Sequence, residues 1–155
     1  MKWALAIVVL MLACRPHTSN TASTTTITAD TVRGILVIEG SEPFSTPTLR
    51  TSAGRIVVDS AAPGLLKLSK LEVWLRGTRV DSDHFRVTGF RVRGANGAPA
   101  YDGTLRADSV GLLVDTEDGS SRRVRGAPSQ LARLVGSRIW FTENVNGTLR
   151  EYGVF

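Results

Sequence analysis

APGLLKLSKLEVW, residues 62–74, and APSQLARLVGSRIW, residues 127–140, share one pattern. Each begins with Ala-Pro, continues with two leucines three residues apart, and ends in a β-branched residue followed by tryptophan. The proline and the leucine spacing predict a short helix, and the β-branched and aromatic residues after it predict a strand. Because internal repeats decide architecture, we expect a fold built from two copies of one unit.

The repeat extends upstream of both stretches. Thr51 and Gly54 align with Thr116 and Gly119, and each glycine lies nine residues before its matched proline. Runs of β-branched and aromatic residues punctuated by Gly, Asp, Asn or Ser are typical of strands. The first unit is predicted to contain strands 32–39, 47–52 and 55–59, a helix 63–70, and strands 71–80 and 84–93. The second is predicted to contain strands 101–107, 110–116 and 121–125, a helix 128–134, and strands 137–145 and 148–155.

The order of three strands, a helix and two strands resembles that of the OB-fold, a five-stranded Greek-key barrel. The resemblance lies in this order and not in a sequence motif. It implies a mainly β protein of two tandem small OB-like five-stranded barrels, each with one short helix, bounded at 31–97 and 98–155. An SH3-like pair, or a single β-sandwich in which the helices are turns, is the alternative.

Local signals refine this prediction. In HFRVTGFRV (84–92), Phe85 and Val87 have the opposite parity from Phe90 and Val92, so a β-bulge at Thr88-Gly89 is needed to bury all four. Dipeptides of Asn or Asp with Gly predict tight turns, because these residues tolerate positive φ. The predicted turns are Asn96-Gly97, Asp102-Gly103, Asp118-Gly119 and Asn146-Gly147.

The N-terminus is typical of an export signal. Lys2 precedes eleven uncharged residues, WALAIVVLMLA (3–13), a stretch too short to span a bilayer, which needs about 20 residues, and typical of a secretory signal peptide. LMLAC (10–14) resembles the lipobox of bacterial lipoproteins. The resemblance implies a signal peptide at 1–13 and a lipid anchor on Cys14. An ordinary signal peptide cut nearby, with Cys14 a free thiol, is the alternative.

Residues 14–30 are predicted to be the lipidated cysteine and a Ser/Thr-rich flexible stalk. Arg15, where inner-membrane lipoproteins carry Asp, implies the outer membrane. We therefore expect an exported protein of the bacterial cell envelope, anchored in the outer membrane and facing the periplasm. The net charge of +5 favours anionic envelope components such as lipopolysaccharide or acidic glycans as partners, with another envelope protein as the alternative.

The candidate binding residues are two tryptophans and two arginines. Trp74 shares its strand parity with Arg76, and Trp140 shares its parity with Arg138, so each tryptophan is predicted on the more polar face of its strand. One hypothesis is a stacking surface for sugars or bases. The other is that the tryptophans pack under a neighbouring loop or against the other unit, because tryptophan is usually well buried.

Motifs for catalysis or metal binding are scarce. The only histidines are His17 and His84, and with Cys14 lipidated no Cys/His cluster remains for zinc. DTEDG (115–119) contains three carboxylates, which are the ligands that Ca²⁺ prefers. The matched stretch RTSAG (50–54) keeps the glycine but none of the three acids, so we predict a turn there. We predict no catalytic residue, no cofactor and no metal.

Three classes of function are therefore considered. The first is a non-catalytic binding or structural module on a membrane anchor. The second is an OB module that binds oligosaccharides or oligonucleotides through Trp74 and Trp140; export and an aromatic content of 6% argue against nucleic acid. The third is an envelope hydrolase with a pair of carboxylates. The candidates for that pair are Asp102, Asp115, Glu117, Asp118 and Glu143.

Overall fold

The computed structural model describes residues 30–155, apart from residues 42 and 61. The predicted signal peptide (1–13), the lipidated Cys14 and the stalk lie outside the described residues, except that Asp30 is the first residue of the first strand. Within the described part of the chain, no helix is long and apolar enough to cross a membrane.

The described chain is mainly β and forms one ten-stranded sheet. The strands of the first half are β1 (Asp30–Glu39), β2 (Thr46–Thr51), β3 (Gly54–Ser60), β4 (Glu72–Arg79) and β5 (His84–Ala95). Those of the second half are β6 (Ala98–Asp108), β7 (Gly111–Thr116), β8 (Ser121–Arg123), β9 (Arg138–Glu143) and β10 (Leu149–Val154). The predicted order of elements is therefore found in both halves.

Both predicted helices are short 3₁₀ helices, Leu65–Leu68 and Ser129–Leu134. The predicted helix 63–70 is too long at both ends. Gly64 has a φ of 85° and Lys70 a φ of 70°, and a helix cannot continue through a residue with positive φ. Leu65, Leu68 and Leu131 are nevertheless buried, as their spacing predicts. Leu134 is partly buried against the core of the second half.

The five strands of the first half pair in a closed cycle. β1 pairs antiparallel with both β2 and β4, β2 pairs antiparallel with β3, and β4 pairs antiparallel with β5. A parallel pairing of β3 with β5 completes the cycle. The second half repeats this order: β6 pairs with β7 and β9, β7 with β8, and β9 with β10, all antiparallel. An isolated parallel bridge between Arg125 and Thr148 stands where β3 pairs with β5 in the first half.

The predicted bulge in β5 is confirmed. Arg76 lies opposite Gly89 while the next residue, Gly77, lies opposite Val87, which leaves Thr88 as the extra residue. As a result the four apolar residues on either side of the bulge are all buried. The two halves of β5 therefore present their polar side chains to the outside in spite of the change of parity.

Three of the four turn predictions are confirmed. Asn96-Gly97, Asp118-Gly119 and Asn146-Gly147 lie in the turns that join β5 to β6, β7 to β8, and β9 to β10. The fourth prediction is wrong, because Asp102-Gly103 lies within β6 and is buried. Both residues pair with β9, Gly103 also pairs with β7, and the Asp102 carboxylate forms an ion pair with Arg138 of β9.

Each half has its own cluster of buried apolar side chains. Two aromatic residues of the second half, Trp140 and Phe155, pack against the cluster of the first half. The ring of Phe155 lies 5.3 Å from that of Phe90 in β5. The two halves therefore share apolar contact, and the candidate site lies close to this contact.

Two glycines occupy matched positions in the two halves. Gly34 of β1 and Gly103 of β6 each lie opposite the β-branched residue of a repeated stretch. A Cβ added to Gly34 would lie 2.2 Å from the carbonyl oxygen of Arg50, and one added to Gly103 would lie 2.1 Å from that of Asp115. The backbone of the neighbouring strand passes so close that only hydrogen fits at either position.

Gly34→Ala and Gly103→Ala are therefore expected to lower the free energy of unfolding by about 3 kcal/mol each, because the added methyl group forces strands apart. Gly89→Ala is the matched control, since its Cβ would meet only the flexible Arg76 side chain, at 3.5 Å. Urea denaturation followed by circular dichroism measures all three. Equal stability of Gly34→Ala and the control would contradict the close strand approach.

Candidate functional site

Trp74 and Arg76 lie together on the outer face of β4. Their neighbours Val73 and Leu75 point into the core and are fully buried, whereas Trp74 is 38% exposed. Both line a pocket of about 210 Å³, whose other lining residues are Thr31, Phe90, Arg91 and Glu117. The structure therefore brings two of the four predicted binding residues together in one pocket.

Arginines surround the Trp74 indole. Arg33 of β1 and Arg91 of β5 lie directly opposite Trp74 on its two neighbouring strands. The register between β4 and β5 shifts again at Arg93, and the guanidinium carbon of this residue lies 4.7 Å from the centroid of the Trp74 ring. A cation over an indole contributes about 0.5–1 kcal/mol at an exposed site. Trp74 is therefore held in a cationic environment that is open to solvent.

Glu117 reaches this pocket from the turn between β7 and β8. Arg91 donates a hydrogen bond from Nε to Glu117 Oε2 at 2.8 Å, and its Nη2 donates to the same oxygen. These bonds lower the pKa of Glu117 against the opposing effect of desolvation, and the charges of Arg138 and Arg76 lower it further. Glu117 is therefore an anion at neutral pH and neutralises one of the two arginines of the pocket.

The remaining arginines of this face have no ion-pair partner. Among the residues that the structure describes, no carboxylate lies within 4.0 Å of Arg33, Arg76 or Arg93. Arg50 and Arg55 on β2 and β3, in contrast, both pair with Glu39. The outer face of β1, β4 and β5, which we call the Trp74 face, therefore has a positive potential that its own acids do not cancel.

Trp140 has a different environment. It is half-buried and packs against the core of the first half. Gly153 of β10 lies beneath its ring, so closely that a Cβ there would lie 2.5 Å from Trp140 Nε1. Trp140 therefore packs against the other half, which is one of the two interpretations of its sequence.

Arg138 is likewise engaged between the halves. Its Nε and Nη2 donate to the two carboxylate oxygens of Asp102 at 2.9 and 2.8 Å, and Nη2 also donates to the carbonyl oxygen of Phe90 at 2.6 Å. Its guanidinium carbon lies 4.7 Å from the Phe90 ring and 4.5 Å from the Phe155 ring. The backbone N–H of Val92 donates to Asp102 at 2.8 Å. Arg138 and Trp140 thus take part in the contact between the halves, and neither lines the pocket around Trp74.

The positions that flank the two tryptophans match in register but differ in charge. Each arginine of the Trp74 face has a counterpart around Trp140 that is not a cation. The pairs matched by register are Arg33 and Asp102, Arg76 and Thr142, and Arg91 and Gly153. Arg93 and Phe155 correspond as the residues that follow the matched Val92 and Val154. The repeat has therefore duplicated the scaffold, while the cationic surface belongs to the first half alone.

The sequence did not predict Arg33, Arg91, Arg93 or Glu117 as members of the site. The alternation in FRVRG (90–94) contains a signal for two of them, since it places both arginines of β5 on the outer face. The other two depend on strand register and on the position of a distant turn. Neither can be read from local periodicity.

Each of the five carboxylates considered for hydrolysis forms a hydrogen bond or an ion pair with another residue. The partners are Arg138 for Asp102, Arg106 and Ser121 for Asp115, Arg91 for Glu117, Thr116 and Ser120 for Asp118, and Arg122 for Glu143. A general acid needs a raised pKa. Hydrogen bonds instead lower the pKa of Asp115, Glu117 and Asp118, chiefly from Ser121, Arg91 and Thr116 respectively. These contacts favour structural roles for the carboxylates.

The acidic stretch 115–119 forms the turn that its matched stretch predicted. Asp118 accepts hydrogen bonds from the side chain of Thr116 and from the backbone of Ser120, which fix the turn internally. Among the described residues, no group of three or more His, Cys, Asp or Glu side chains could hold a metal ion.

Asp102→Asn tests the contact between the halves. The side chain of Asp102 is only 4% exposed, and removing one partner of a buried ion pair leaves the other uncompensated, so we expect a loss of about 3 kcal/mol in the free energy of unfolding. Asp115→Asn is the control, because its partner Arg106 is exposed and Asp115 itself is far less buried than Asp102, so the loss is expected to be much smaller. Urea denaturation that finds the two variants equally stable would contradict the assigned role of Asp102.

Comparison of this chain with protein-family models, with curated proteins and with solved structures gives no match. Any assignment of function therefore depends on the chemistry of the Trp74 face and on the pattern of the N-terminus.

Proposed function

We propose that this chain is an exported bacterial lipoprotein that binds an acidic oligosaccharide of the cell envelope without catalysis. Cys14 carries the lipid anchor in the outer membrane, and residues 31–155 form a binding module of two tandem OB-like barrels that faces the periplasm. The observation that carries the binding proposal is the exposed Trp74 indole among arginines that have no ion-pair partner.

The strand pairings support the OB-like barrels. A five-stranded Greek-key barrel needs a cycle of pairings, and β1 to β5 form such a cycle through the parallel pairing of β3 with β5. A single antiparallel β-sandwich does not account for that parallel pairing. The recurrence of the same pairing order in the second half supports the tandem arrangement.

The charges support the Trp74 face as the ligand surface. OB-folds usually bind ligands on the face of strands 2 and 3, but here the cations of β2 and β3 pair with Glu39. The cations of the Trp74 face are available to a ligand. A single exposed aromatic residue suits one sugar ring, whereas single-stranded nucleic acids stack successive bases on several aromatic side chains.

Cys14→Ser tests the lipid anchor. Each buried methylene contributes about 0.8 kcal/mol to membrane binding, and stable anchoring needs more than one signal such as a second acyl chain. We expect the wild-type protein to incorporate labelled palmitate and to sediment with outer membranes, and the variant to do neither. Ser19→Ala in the stalk is the control and is expected to keep both properties. Incorporation of the label by Cys14→Ser would contradict the anchor.

Arg76→Ala tests the binding proposal. Hydrogen bonds to charged groups contribute about 1.5–3 kcal/mol, so the affinity for a hexamer of galacturonic acid is expected to fall at least about tenfold. Calorimetric titration of the full-length protein measures it, with the neutral hexamer cellohexaose as the ligand control. Equal heats for the acidic and the neutral hexamer would contradict an acidic ligand.

Glu117→Gln is expected to change the affinity of the same pocket in the opposite direction from Arg76→Ala. It removes the carboxylate that occupies Arg91 while keeping the size of the side chain, so the affinity for the acidic hexamer is expected to rise. A surface that binds through nonpolar contact alone would show no difference between these two variants. If neither hexamer binds to any variant, the binding proposal is wrong and a purely structural module remains.

A further inference from the structure

A second pocket lies beyond Trp74 along the same face. It has a volume of about 280 Å³, and its lining includes Ile35, Lys70, Glu72 and Arg93. Arg93 joins the two pockets, because it lines the second and stacks on the indole that lines the first. Each pocket therefore combines two cations with one carboxylate and has the same net charge of one positive unit.

The positive φ of Lys70 indicates that its side chain is functional. Lys70 has a φ of 70°, and the matched residue in the second half is Gly136, with a φ of 91°. The N–H of Lys70 donates to the carbonyl oxygen of Leu36 at 2.7 Å, and that of Gly136 donates to Leu105 at 2.8 Å. The same backbone contact is thus made in both halves, and glycine makes it without the strain that a lysine incurs in the left-handed region. Strain retained at one copy of a repeat indicates function at that copy.

Arg93 gives a second, independent indication. Its Nε is buried and has no hydrogen-bond partner among the described residues, and a buried guanidinium N–H without a partner is uncommon. Arg93 follows Val92, and the residue that follows the matched Val154 in the second half is the apolar Phe155. The scaffold therefore accepts an apolar residue at this position, and the cation of the first half is not required for packing.

We infer that the second pocket is a further anion subsite, and that the Trp74 face binds an acidic glycan with one carboxylate in each pocket. This inference rests on the proposed function and specifies the length of the ligand. β4 rises about 3.4 Å per residue, so the levels of Glu72 and Arg76 are about 14 Å apart. A monosaccharide acid occupies only one pocket, whereas an oligomer spans both and passes over Trp74.

Lys70→Gly is the test, because it installs the residue of the matched position. The variant is expected to be at least as stable as the wild type to heat, yet to bind the galacturonate hexamer about tenfold more weakly after losing one charged contact. Binding of monomeric galacturonate at the first pocket, which Lys70 does not line, is expected to stay unchanged. Lys67→Ala is the control for charge, since Lys67 is exposed on the first 3₁₀ helix and lies outside the lining of the second pocket.

Arg93→Phe, which also installs the matched residue, is expected to weaken hexamer binding in the same way.

The outcomes distinguish this inference from the proposed function. If Arg76→Ala loses affinity for the hexamer while Lys70→Gly and Arg93→Phe keep it, the second subsite is wrong and the proposed function stands. If the wild type binds a decamer of thymidylate but not the hexamer, or binds neither, both proposals are overturned. Increased heat stability of Lys70→Gly together with weaker hexamer binding supports the subsite, because a structural role for Lys70 predicts the reverse change in stability.

Discussion

The guanidinium group of Arg138 determines how the two halves meet. It binds both oxygens of the buried Asp102 and the carbonyl oxygen of Phe90, while its faces lie against the rings of Phe90 and Phe155. Arginine can do this because its planar group forms in-plane hydrogen bonds and stacks at the same time. Asp102 also accepts the N–H of Val92. These bonds hold β5 at Phe90 and Val92. The residues that alternate with these two along the strand are Arg91 and Arg93, the arginines beside Trp74.

Features that depend on residues close in the sequence could be predicted. The strand order follows from apolar alternation, and the bulge at Thr88 follows from a change of parity that no regular strand accommodates. The same alternation placed Trp74 and Arg76 on one outer face, where the structure finds them. The fold class and two residues of the candidate surface, Trp74 and Arg76, could be predicted because period-two patterns report directly on the orientation of side chains.

Features that depend on distant partners could not be predicted. Asp102-Gly103 and Asp118-Gly119 have the same turn chemistry, yet only the second forms a turn, because the first lies in a strand that pairs with both β7 and β9. The two tryptophans show the same limitation. They end nearly identical stretches with the same parity, and no local signal shows that Trp140 meets the core of the other half while Trp74 meets solvent.

The unequal roles of the tryptophans follow from the duplication itself. Two copies of one unit present the same outer face, and when one of these faces joins the copies, cations without partners become costly there because they lose water. The face around Trp140 accordingly has Asp102, Gly153 and Phe155 where the other copy has arginines. The face around Trp74 is free of that constraint, but freedom alone does not explain its charges. Unpaired arginines around an open indole add nothing to the packing of the core, and their presence in only one copy is the asymmetry on which the proposed ligand surface rests.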